Sequence, residues 1–161
     1  MKVAPHEHQY VKLIFNPTIM ASYAGMFSAI VDNGEQEPKT HKLVFDLKGE
    51  GALPTIKVES PKEFSDERTL LLKFPKTRIG KTHCQSISLK NDGSIPATAK
   101  FELTHNDHFK FLDNNSTTLT PKSYGIFNVE FKPSEAGVKV WEINCTTLLN
   151  QFESFKFKIE G

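Results

Sequence analysis

Two short histidine clusters have the residue types and spacing that chemistry would need. His6-Glu7-His8 places two imidazoles on one face of an extended chain, because side chains alternate with a period of two. Two imidazoles are half of a common metal site, but no third ligand lies nearby in sequence. His105-Asn106-Asp107-His108 sets an imidazole beside a carboxylate, as a general base with its orienting partner would be set. It falls in a polar turn, with no identifiable nucleophile or oxyanion donor. Both clusters are expected to be solvated loops. The chain carries no phosphate-binding P-loop, dinucleotide fingerprint or Cys-x-x-Cys pair. Gly49-Glu50-Gly51 leads into Ala-Leu-Pro and a further strand pattern, not into the helix that a phosphate cradle requires. No catalytic, cofactor-binding or metal residue is assigned, no cofactor is expected, and the chain reads as a non-enzyme.

Cys84 and Cys145 are the only cysteines. In His83-Cys84-Gln85-Ser86-Ile87-Ser88-Leu89 the apolar face is Ile87 and Leu89, and Cys84 lies on the other face. Cys145 runs in phase with Trp141 and Ile143. The two are therefore expected as reduced thiols of a cytosolic, non-secreted protein. Asn114-Asn115-Ser116 and Asn144-Cys145-Thr146 fit the glycosylation pattern but are read as chance matches, since no secretory core follows Met1.

The bulk composition excludes further classes. There are 20 Lys+Arg against 19 Asp+Glu, a formal net charge of +1. That balance offers no basic excess to neutralise phosphates, so nucleic acid is not expected as a partner. No polybasic run favours anionic membranes, and no apolar run approaches the ~18 residues of a membrane span. Hydrophobic residues make up 38% of the chain, and 13 of its residues are Phe, which leans towards sheet.

The elements that position these residues repeat. Val11-Lys12-Leu13-Ile14-Phe15-Asn16-Pro17 parallels Phe127-Asn128-Val129-Glu130-Phe131-Lys132-Pro133 at an offset of 116. Beyond it the offset becomes 112, with Gly25 set against Gly137, Phe45 against Phe157, Leu47 against Ile159 and Gly49 against Gly161. The link after the Phe-x-Pro strand is read as four residues longer in the first copy, the difference between those offsets. Residues 1–51 thus read as the C-terminal half of one repeat, and 52–161 as a nearly complete one.

The second copy reads as strands throughout. They are expected at Pro54–Glu59, Leu70–Phe74, His83–Lys90, Ala97–Leu103, Phe109–Leu112, Tyr124–Phe131, Val138–Thr146 and Phe155–Glu160, with Asp113–Thr118 as a polar loop. Seven or eight short strands with alternating faces and turns such as Asn91-Asp92-Gly93 predict an all-β, immunoglobulin-like antiparallel β-sandwich, present as a tandem repeat with the first copy incomplete. Val11, Leu13, Phe15, Phe45 and Leu47 are expected to form an inner face with no opposing sheet.

Phe45-Asp46-Leu47-Lys48-Gly49-Glu50-Gly51-Ala52-Leu53-Pro54 resembles the junction between repeats in the Hydin family of axonemal proteins. Ser88-Leu89-Lys90-Asn91-Asp92-Gly93-Ser94-Ile95-Pro96-Ala97 resembles the strand–turn–strand signature of the wider ASH group, which is related to major sperm protein and to PapD-like folds. The resemblance implies a scaffold or interaction module of the motile-cilium axoneme, located in the cytoskeleton of the cilium or flagellum. Its implied partners are other central-pair proteins, adjacent repeats of a longer parent chain, and microtubules indirectly, with no nucleic acid and no membrane. A major-sperm-protein-like, cytosolic peptide-binding adaptor is the alternative role.

Overall fold

The computed structural model describes residues 3, 4, 6–30, 42–65 and 69–161. The chain divides into two compact units, Met1–Ala52 and Leu53–Gly161. Among the described residues there are eleven strands and no helix.

In the first unit β1 (Ser22–Ile30) and β2 (Lys42–Glu50) form an antiparallel pair, with Phe27 opposite Phe45. None of the described residues of this unit is buried. Val11–Phe15, expected as a strand, lies outside every strand. The reason is visible in its counterpart in the second unit, where Phe127–Phe131 is hydrogen-bonded on both sides. A strand is stable only with a neighbour that satisfies its backbone, and the described residues 11–15 have none.

The second unit contains β3 (Lys57–Ser60), β4 (Leu70–Lys73), β5 (His83–Lys90), β6 (Ala97–Glu102), β7 (Phe109–Phe111), β8 (Ser116–Leu119), β9 (Tyr124–Phe131), β10 (Val140–Thr147) and β11 (Asn150–Glu160). One sheet has the order β4-β11-β10-β6-β8 and the other β3-β5-β9-β7. All pairings are antiparallel except β4 with β11, which run parallel with Leu70 opposite Phe157. The fold is an all-β immunoglobulin-like sandwich. Among its described residues the second unit has nine strands, one more than the upper count expected. The additional strand is β8, placed where a polar loop was expected. It pairs with β6 and turns Leu119 into the core, with Thr117 half-buried on the same face and Ser116 and Thr118 on the outward face.

Alternation builds the core. Ile87 and Leu89 of β5, with Phe127, Val129 and Phe131 of β9, form one inner face. Phe101 of β6, Trp141, Ile143 and Cys145 of β10, and Phe157 and Ile159 of β11 form the other. Across the sandwich Phe101 meets Phe127 at 4.8 Å between ring centres, and Phe109 lies parallel to Trp141 at 6.3 Å. Ala97 and Ala99 supply small side chains on the same buried surface as Phe101, the mixture of sizes that lets facing layers interlock.

Two buried polar residues tie the loops to this core. Asn91 Nδ2 donates to the carbonyls of Ile95 (2.8 Å) and Leu119 (2.9 Å), and its Oδ1 accepts from Gly93 N (2.9 Å). Asn150 Nδ2 donates to the carbonyl of Pro54 (2.9 Å), which fixes the chain's entry to the sandwich.

Candidate functional site

The structure brings none of the histidine clusters into a pocket with a nucleophile. His6 sits at φ 66° and is exposed, and His8 packs edge-on against the exposed Tyr10. His105 Nε2 lies 3.0 Å from Asp107 Oδ1, both side chains fully in solvent. Asn106 explains this segment: its Oδ1 accepts from the backbone N–H groups of His108 and Phe109, closing the turn that leads into β7. Among the described residues no group of three His, Cys, Asp or Glu is placed to hold a metal ion.

The cysteines lie in different sheets. Cys84 is exposed on β5 and Cys145 is buried on β10, and both are free. Burial pushes the Cys145 thiol up to about 12, because the thiolate would lose its hydration.

One charge cluster was not legible in sequence. Asp92, in the turn after β5, receives Lys57 Nζ at 2.8 Å and Lys90 Nζ at 3.0 Å. Lys122 Nζ donates to its main-chain carbonyl. Hydrogen bonds from Lys57 and then Lys90 hold the Asp92 carboxyl down at about 2. Two lysines thus pair with the Asp92 carboxylate and a third with its main chain, and Lys90 also lies 5.4 Å from the centre of the Tyr124 ring. Sequence reasoning saw only the Asn91-Asp92-Gly93 turn, since nothing local joins Lys57 or Lys122 to it.

The other distinctive surface is the open face of the first unit, and strand pairing defines what it is. In β1–β2, Ala24 pairs Lys48, and the ladder runs on to Ile30 with Lys42. In β10–β11, Val140 pairs Glu160, and the ladder runs on to Thr146 with Ser154. Adding 116 to each β1 position and 112 to each β2 position converts seven of the nine pairs of the first ladder, from Ala24 with Lys48 to Ile30 with Lys42, into pairs of the second. The four extra residues therefore lie between β1 and β2, with eleven residues between Ile30 and Lys42 against seven between Thr146 and Ser154. They do not lie in the link after Phe-x-Pro, as the glycines had suggested. Gly25 is the counterpart of Trp141, not of Gly137, which stands in a turn at φ 113°. The glycine match was one of residue type, whereas pairing depends on which face each residue takes.

This register gives the buried side of the second unit an unburied twin. Val11, Leu13 and Phe15 are each 53% exposed, while Phe127, Val129 and Phe131 are at 1%, 0% and 2%. Phe45 is 54% exposed where Phe157 is at 0%. The ring of Phe15 rests against Gly49, as that of Phe131 rests against Gly161.

No family model matches the chain. Over 186 aligned residues it is 25% identical to the hydrocephalus-inducing protein of Mus musculus, an alignment that takes in 100% of the chain and 4% of that relative. The hydrocephalus-inducing protein homolog of Homo sapiens is 28% identical over 145 residues, covering 89% of the chain and 2% of the relative. The chain is Hydin-like. It spans only a few per cent of the length of these Hydin relatives.

Among solved structures, a protein of unknown function from Porphyromonas gingivalis W83 shares the fold, with a TM-score of 0.51 and 12% identity, covering 90% of this chain and 67% of that one. The PapD-like domain 7 of human CEP192 is 16% identical with a TM-score of 0.49, covering 66% of this chain and 82% of that one. WR4, a member of the major sperm protein family of C. elegans, is 10% identical with a TM-score of 0.47, covering 65% and 94%. The Hydin-like chain has the all-β, immunoglobulin-like fold expected from its sequence.

Proposed function

We propose that this Hydin-like chain is a non-enzymatic structural and interaction module of the motile-cilium axoneme, serving the central-pair apparatus and so ciliary beating. The observation that carries the reading is the alignment with hydrocephalus-inducing proteins along 100% of the chain in one case and 89% in the other. The architecture suits the role. Most of the chemistry-bearing residues form turns or surface, and a tandem of sandwiches offers sheet edges and faces to neighbours. The proposed partners are other central-pair proteins and further repeats of the same kind, with microtubules reached through them.

A cytosolic peptide-binding adaptor is the second reading. It is favoured by the Lys57, Lys90 and Lys122 cluster, whose three cations exceed the single Asp92 carboxylate among them and suit an acidic peptide.

Imaging the tagged chain in multiciliated cells separates the two. Signal along the axoneme, concentrated on the central pair, supports the scaffold. Signal on endoplasmic reticulum or diffuse in the cytosol, abolished by charge reversal at Lys57 and Lys122, supports the adaptor.

A further inference from the structure

The open face of the first unit has a definite complement, and the second unit displays it. There, the face made by Trp141, Ile143, Phe157 and Ile159 is covered by β5 and β9. β9 has a counterpart in residues 11–15, but β5 does not. An offset of 116 from His83–Lys90 falls before residue 1, and so does the offset from Phe109–Phe111.

We propose that β1–β2, together with Val11–Phe15, is an acceptor face completed by the front half of a repeat of this same kind, supplied by polypeptide N-terminal to it in a longer parent. The chemistry of that occupant can be stated. It presents a strand like β5, with two large aliphatic residues inward in the manner of Ile87 and Leu89, alternating with polar residues outward in the manner of Ser86 and Ser88. It also brings a strand with small inward residues, like Ala97 and Ala99 of β6.

Three observations select this occupant over any other apolar surface. Seven of the nine ladder pairs of β1–β2 coincide with those of β10–β11, so the spacing of the inward residues is that of a half-core. The Phe15–Gly49 contact reproduces Phe131–Gly161, so the Phe-x-Pro segment is already seated beside the sheet where β9 sits. The relatives that align with the chain are far longer than it, 4% and 2% being covered. When the front half arrives, residues 11–15 gain hydrogen-bonding neighbours and become a strand. This inference stands whether or not the chain acts in an axoneme.

The test is a fusion. Residue 117 is the counterpart of residue 1 at the offset of 116, so a copy of residues 53–116 is placed directly before Met1 of the full chain. The second unit of the same molecule reports that the protein has folded. The expected result is at least 100-fold slower amide exchange in β1, β2 and residues 11–15 than in the unfused chain, with loss of apolar-dye binding. A fusion carrying Ile87→Asp and Leu89→Asp in the added copy alone should behave as the unfused chain does. Unchanged exchange in the fusion, with the second unit folded, overturns the proposal. So does protection of β1–β2 in the unfused chain that rises with protein concentration, since a second copy would then be the occupant.

Discussion

The ring of Phe131 lies directly against Gly161: a Cβ built on that glycine would come 2.6 Å from Phe131 Cε1, and one built on Gly49 would come 2.8 Å from Phe15 Cζ. The phrase that ends each copy closes on glycine for this reason. Gly51 is constrained differently, because an added Cβ would collide with the carbonyl oxygen of Ile19. Gly161→Ala should therefore strain the Phe131 ring and cost about 1–3 kcal/mol, the usual range for overpacking. Urea denaturation of the second unit reads this directly. Unaltered stability would mean that the ring swings away freely.

Phe131 itself also packs against Phe74 and Phe109, with ring centres at 5.4 and 4.7 Å. Phe131→Ala should destabilise the second unit by about 3–5 kcal/mol. Wild-type thermal stability in this variant would contradict the placement of the inner face.

Asn91 is fully buried, and its side chain satisfies two carbonyls and one N–H. Replacing it with Ala leaves those groups without partners. The expected loss is about 2–4 kcal/mol, since each buried unsatisfied polar group costs about 1–3 kcal/mol. Asn91→Asp should not rescue stability at neutral pH, because a carboxylate can replace the acceptor but not the two donors. Recovery by Asp would show that the donors are dispensable.

Asp92 makes a contribution of known sign with pH. Its carboxyl is held at about 2 in the folded protein by Lys57 and Lys90, below the ordinary carboxylate value of about 4. The stabilisation is present above the unfolded value and is lost as pH falls from about 4 through about 2. Asp92→Asn should lower stability at pH 7 slightly and flatten the stability–pH curve in that window. A curve of unchanged slope between pH 4 and pH 2 would remove the lysine pairs from the account.

The two thiols should report the fold. Cys84 is exposed and Cys145 is buried with its thiol pushed up to about 12. A disulfide reagent at pH 8 should titrate one thiol in the native chain and two in denaturant. Two fast-reacting thiols in the native chain would place Cys145 outside the core.

Much of the second unit was readable from alternation alone. His83–Lys90 and Tyr124–Phe131 have the expected bounds, and the outward Cys84 and inward Cys145 follow from counting by twos. β8 escaped because Ser116-Thr117-Thr118-Leu119 has one apolar anchor, and only its pairing with β6 reveals the strand. Residues 11–15 have the pattern of a strand but lack the neighbours that would make them one. Register was the least legible feature, since Gly25 and Gly137 are alike in type, yet one lies in a strand and the other in a turn. The lysine cluster was illegible for a related reason: Lys57 and Lys122 lie 35 and 30 residues from Asp92 and reach it only in the folded sandwich.

The measurement that tests most directly whether one half-core is covered and its twin is not is hydrogen exchange on the monomeric full chain. Amides of β9, β10 and β11 should exchange only by global unfolding of the second unit, and those of residues 11–15, β1 and β2 should exchange orders of magnitude faster. Equal protection in the two halves would contradict the account, because it would mean that the first unit already has a closed core of its own.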